Sequence, residues 1–233
     1  MTSRTKKVIL IIVEGIEDQV SLEAVIPNLI VDSSVKFAIT RGDITTDRTV
    51  TSQNIKRKLS GIVNDFLRSS HLKSSDILQI IHIADTDGAF IPDDCVVENT
   101  NERLLYLSDR IETLNPQGIK NRNEKKARIL NMLIATSEIY RKKYDVYYFS
   151  RNLEHVLHNK DQELSREEKT RLADEFADQY YDRPQEFLSF ISDPAIAVKG
   201  TKVETWDFIK EGTNSLKQYS NIHVFLQDLI KGL

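Results

Sequence analysis

The sequence predicts an α/β fold: a mainly parallel sheet with helices on both faces, followed by a helical C-terminal extension. Three observations carry this. Short β-branched runs alternate with segments of helical periodicity through the first 158 residues, each apolar run stops at a polar or acidic turn, and only helical patterns follow residue 160. The expected division is an α/β domain over residues 1–160 and a helical extension over 161–233 packed on it.

Val8–Val13 is six apolar residues long, which suits a strand buried on both faces. Leu22, Val25, Ile26 and Leu29 then fall at helical spacing, giving a β–turn–α unit around Gly15. Val35–Ile39 reads as a second strand and Ile55–Leu67 as a second helix. Ile77–Ala84 reads as the third strand, closed by Asp85-Thr86-Asp87-Gly88. Helices are expected near 100–112 and 122–141, then a fourth strand over Tyr144–Phe149 and a helix over Asn152–His158. In the extension, Ser165-x-x-Glu168 and Thr201-x-x-Glu204 are capping boxes, Pro184 stops one helix, and Ile222–Ile230 forms the last.

Composition narrows the function. With 32 basic and 35 acidic residues, a formal net charge of −3, the chain is not a generally basic nucleic-acid binder. The single cysteine, Cys95, excludes an internal disulfide framework and argues against a thiolate zinc cluster. No apolar run approaches the roughly 20 residues of a membrane span, and no export signal is evident, so a cytoplasmic setting without a membrane partner is expected.

Ligands of open parallel sheets collect at the carboxyl ends of the strands. Here those ends carry Glu14 and Asp18, then Asp85 and Asp87, then Ser150, Asn152 and Glu154. Five carboxylates would converge on one edge. They repel one another unless a positive charge joins them, and no Lys or Arg lies within Glu14–Asp18 or Asp85–Asp87. An all-oxygen donor set then favours Mg²⁺ or Mn²⁺, either one ion or two with the second near Glu154, and hence phosphate chemistry.

The same residues carry a resemblance. Val13-Glu14-Gly15-Ile16-Glu17-Asp18 at a strand-to-helix turn is similar to the VEGxxD segment of Toprim domains, and Asp85-Thr86-Asp87 resembles their DxD. Those domains occur in primases, topoisomerases, RNA-maturation nucleases and OLD-type nucleases. Ser150-Arg151-Asn152-Leu153-Glu154 with Leu157-His158 looks like the corresponding segment of the RloB-like and AbiL-type abortive-infection Toprim proteins, with Leu153 where that family carries an aromatic. The resemblance implies a Toprim-like fold, metal or acid–base roles for Glu14, Asp85 and Asp87, and Mg²⁺-dependent phosphodiester cleavage of DNA or RNA in phage defence. Gly15 and Gly88 would support the turns.

Two other readings compete. A Toprim-like regulatory module acting through an ATPase or another defence-system subunit keeps the metal site without the nuclease. Ile81–Gly88 also fits the hhhhDxDG motif of haloacid-dehalogenase-type phosphatases, with Asp85 as nucleophile, although a full β–α–β–α unit precedes it. Lys120, Arg122, Lys125, Lys126 and Arg128 against Glu124 give a local charge of +4, either a solvated helix face or a phosphate-contacting surface. His82 is expected in the sheet, His155 and His158 in orienting or surface roles, and Trp206, Tyr180 and Tyr181 in the core of the extension or at its junction with the sheet.

Overall fold

The run Val8–Val13 is the interior of β1 (Lys7–Val13), and all six of its residues are buried. In the computed structural model, which describes residues 7–29, 35–42, 44–45, 47–100, 104–160 and 164–232, β1 pairs in parallel with β2 (Val35–Arg41) and with β3 (Ile77–Asp85). β3 pairs in parallel with β8 (Lys142–Phe149), and the short β7 (Glu138–Ile139) closes the edge antiparallel to β8, giving the order β2-β1-β3-β8-β7.

Alternation along the strands sends side chains to two cores. Ile9, Ile11 and Val13 of β1, with Ile81 and Ile83 of β3, meet α1 (Ile16–Val25), α5 (Arg166–Tyr180), α6 (Pro184–Ile191) and α8 (Ile222–Gly232) on one face. Leu10, Ile12 and Ile80 meet α2 (Ile55–Ser69), α3 (Pro116–Ile134) and α7 (Lys202–Ile209) on the other. The fold is therefore α/β with a mixed, mostly parallel five-stranded sheet covered on both faces.

The C-terminal helices are stitched into this sheet as well as packed on it. Trp206 Nε1 donates to the Val146 carbonyl at 3.0 Å, the Tyr148 amide donates to Asn221 Oδ1 at 2.8 Å, and the Ser150 amide donates to the Tyr219 carbonyl at 2.7 Å. The expected boundary at 160/161 falls beside residues 161–163, which lie outside the described residues.

Two expectations need correction. Of the helix expected near 100–112, residues 101–103 lie outside the described residues, and the rest contributes to a three-stranded sheet in the order β4-β6-β5, made of Val96–Glu98, Ile111–Thr113 and Leu105–Tyr106. A tight turn in which the Leu107 amide donates to the Arg110 carbonyl at 2.9 Å joins the last two strands in space. Strands of two or three residues are too short to show alternation. The helix expected over 122–141 starts earlier and ends sooner. Asn115 caps α3 by accepting from the Gly118 amide at 2.9 Å, with Pro116 in the first turn. Tyr140 and Arg141, at φ +52° and +58°, then form the two-residue turn between β7 and β8. Such turns favour Asn and Gly, and neither residue signals this one.

Candidate metal centre

The loops after β3 and β8 are laced together where the acids gather. The Thr86 amide donates to the Phe149 carbonyl at 3.1 Å, and the Asp87 amide donates to the Arg151 carbonyl at 2.8 Å. The Arg151 amide in turn donates to Thr86 Oγ1 at 2.7 Å, while that hydroxyl donates to the Ser215 carbonyl at 3.2 Å. Asp87 and Arg151 sit at φ +47° and +60°, conformations that cost a non-glycine residue about 1–2 kcal/mol. The cross-strand bonds hold both in place.

Gly88 has φ +67°, and a Cβ there would come within 2.6 Å of buried Leu216 and 3.2 Å of Ile111. Gly88→Ala is expected to cost about 1–2 kcal/mol, read as a lower urea midpoint with an unchanged m-value.

The five sequence-predicted carboxylates do meet at this edge. Glu14 follows β1 directly, Asp18 lies in the first turn of α1, Asp85 ends β3, Asp87 follows it, and Glu154 lies in the first turn of α4 (Leu153–His158). Asp85 is held well above the ordinary carboxylate range by burial, and then by the charges of Asp18, Glu14 and Asp87. Burial raises Glu14 to about 7, with Asp87 and Asp18 adding to the rise while Lys126 and the Thr45 hydroxyl oppose it. Burial likewise raises Asp18 to about 6, although the Gly15 amide donates to its Oδ2 at 2.8 Å. Asp18 is thus both a helix cap and a member of the cluster.

Two lysines from other elements, neither of them within the acidic motifs, supply part of the counter-charge that the sequence reading sought in a divalent cation. Lys126 of α3 is 2% exposed; its Nζ pairs with Asp87 and lies 3.6 Å from Glu14 Oε2. Burial works against its ammonium, but Asp87, Glu14 and Asp85 outweigh that and raise its pKa. Lys169 of α5 pairs with Glu154 at 2.7 Å. Both lysines carry a sequence signal. Lys126 shares a helical stripe with Asn123, Leu130 and Leu133, and Lys169 precedes Leu172, Phe176 and Tyr180 on another, so each is a cation on a buried face.

The other basic residues of 120–128 do not form one surface. Arg122 donates to the Asp87 carbonyl at 2.9 Å and to the Tyr106 hydroxyl, supporting the site from behind. Lys125 holds the carbonyls of Asp47 and Arg48, each at 3.1 Å, and Arg128 pairs with Glu124. The Lys120 side chain alone of the five makes no ion pair or hydrogen bond among the described residues.

Asn152 caps α4 by accepting from the His155 amide at 2.9 Å. Ser150 Oγ donates to the Asn214 carbonyl at 3.2 Å, which anchors the C-terminal helices. His155 is buried with Nδ1 3.5 Å from the Ser150 carbonyl, His158 packs edge-on against Phe176, and His82 Nδ1 meets the Tyr144 hydroxyl inside the sheet.

As they stand, no three acidic, histidine or cysteine side chains among the described residues form a ready-made metal cage. The donor chemistry nevertheless fits a hard divalent cation. The carboxylates offer oxygen alone, and three of them hold protons more tightly than usual because burial, and then the charges of their acidic neighbours, disfavour the anions.

A stability dependence follows. The unfolded chain ionises Glu14 near 4.5 and the native state near 7, so the native state binds the extra proton between those values. Its stability falls across that window and carries the whole penalty above it. Glu14→Gln is therefore expected to raise the melting temperature in EDTA by on the order of 5 °C at pH 8 and hardly at all at pH 4.5, as calorimetry at the two pH values would show.

Compared with known protein families, with curated proteins and with solved structures, the chain matches none.

Proposed function

We propose that the chain is a divalent-metal-dependent phosphodiesterase acting on nucleic acid, with a Toprim-like site, and that it serves in phage defence. The observation that carries the reading is the position of Asp85, at the end of a central strand and between Glu14, Asp18 and Asp87, with burial and those charges holding its proton. Mg²⁺ or Mn²⁺ would be held by Asp85 and Asp87 with Glu14, and by Asp18 and Glu154 if a second ion enters. The ion would supply charge neutralisation at the attacked phosphate and a more acidic water.

The chain's own residues contribute the rest. Glu14, with Thr45 donating to Oε1 and a pKa of about 7, is poised to exchange a proton at Oε2 near neutral pH. Lys126 holds Glu14 and Asp87 at one end of the cluster, and Lys169 holds Glu154 at the other, so a loaded site needs these ammonium groups to shift. Thr86 and Arg151 lock the backbone that presents Asp85 and Asp87. The phosphatase reading gives no role to Glu14 and Asp18, which crowd Asp85 from the preceding β–α unit.

The test is a Mg²⁺ and Mn²⁺ titration of the purified chain against supercoiled DNA, structured RNA and unpaired oligonucleotides. Metal-dependent cleavage of at least one is expected. Inertness toward all three, with no partner added, would favour the regulatory module acting through an ATPase or another defence-system subunit.

A further inference from the structure

A cavity of about 170 Å³ opens directly beside the acids, between the small sheet and α5. Its lining mixes apolar side chains, Leu104, Tyr106 and Leu164, with the acids Asp87 and Glu154 and the cations Lys169 and Arg151. Pockets for drug-sized ligands run to about 300–1,000 Å³, so this one takes a smaller group, an apolar ring against Leu104, Tyr106 and Leu164 with an anion in reach of Lys169 and Arg151. A nucleotide supplies both: its base suits the leucines and the tyrosine, while its phosphate, outside the cavity proper, suits the lysine and any cation on the acids.

The aromatic wall is fixed in place. The guanidinium carbons of Arg151 and Arg122 lie 5.2 and 5.7 Å from the centre of the Tyr106 ring, and Arg151 also donates to the Lys160 carbonyl at 2.8 Å. The acids of this edge are recessed, with side-chain exposures of 9% for Glu14 and, where they line the cavity, 8% for Glu154 and 24% for Asp87. A base held in its pair and stack cannot enter a pocket of this size, whereas an unpaired one can, against an aromatic ring.

Resting on the nuclease reading above, we infer that this cavity holds the base of one unpaired nucleotide next to the phosphate being cut, so that single-stranded nucleic acid is the substrate and a continuous duplex is not. DNA and RNA share the base, sugar and phosphate chemistry that the cavity reads.

The experiment measures binding, so it does not depend on turnover. Fluorescein-labelled oligonucleotides with cleavage-resistant phosphorothioate linkages, DNA in one arm and RNA in another, are titrated by anisotropy in Mn²⁺, as single strands and as blunt duplexes. The single strand is expected to bind at least about tenfold more tightly than the duplex. Leu164→Trp and, separately, Leu104→Trp fill the cavity without changing a charge and should weaken single-strand binding at least about tenfold. Their Mn²⁺ affinity, read by electron paramagnetic resonance, should stay that of the wild type. Equal binding of duplex and single strand, or undiminished binding by the folded variants, overturns the inference while leaving the metal reading intact. Absence of Mn²⁺ binding by the wild type overturns the metal reading instead, and the strand comparison repeated in EDTA still decides the cavity's occupant.

Discussion

Asp85→Asn is expected to abolish metal-dependent cleavage, by at least about a hundredfold, without unfolding the chain. Asparagine matches aspartate in shape, so packing at the end of β3 is preserved, but it cannot donate two anionic oxygens to a hard cation. The same substitution removes a carboxylate that burial and three acidic neighbours disfavour as a charge. Metal-free Asp85→Asn should therefore be at least as stable as the wild type at pH 8, and its advantage should shrink as the pH falls and the wild-type carboxyl gains its proton. Urea titration and a cleavage assay on one preparation separate the two effects. A variant that loses activity by unfolding would show a lower urea midpoint in EDTA, opposite to the expectation.

Lys126→Met should have the largest effect on stability. Methionine keeps the apolar stem within its stripe but removes the ammonium that pairs with Asp87 and faces Glu14. Removing one partner of a buried ion pair costs about 3–5 kcal/mol, because the remaining charges stay buried without compensation. In EDTA at pH 8 the loss should approach that size. It should diminish toward pH 5.5, where Glu14, with a pKa of about 7, carries its proton and the cluster is less negative. Mn²⁺ should restore much of the stability, and with more affinity than in the wild type, since the ion no longer competes with an ammonium. Unchanged stability in EDTA at pH 8 would show that Lys126 does not neutralise the acids.

These two residues show what the sequence could reveal. Asp85 was legible because it ends a continuous apolar run, Ile77–Ala84, and a polar turn after such a run marks the ligand-binding edge of a parallel sheet. Glu14 was legible for the same reason after Val8–Val13. Lys126 was visible as part of a basic run, but charge counting treats 120–128 as one patch, while a helix rotates each residue about 100° from the last. That rotation carries Lys126 inward to the acids, leaves Arg128 outside against Glu124, and sends Arg122 to the Asp87 carbonyl. Lys169 comes from a helix that the sequence assigned to the extension, so its contact with Glu154 depends on tertiary packing alone. The small sheet and the β7–β8 hairpin escaped for local reasons. Their strands are two or three residues long, apart from β8 itself, and the Tyr140-Arg141 turn lacks the residues that normally mark its left-handed backbone.

The central claim is that the acids at the strand ends bind a divalent cation that works on phosphate. Its most direct test is a calorimetric titration of Mn²⁺ into the wild type and Asp85→Asn at pH 7.5, in two buffers of different ionisation enthalpy. Saturable binding to the wild type with proton release is expected, because Glu14 near 7 and Asp85, held well above the ordinary carboxylate range by burial, must give up protons to the metal, and no such binding to Asp85→Asn. Identical isotherms for the two proteins, or no binding to either, would contradict it.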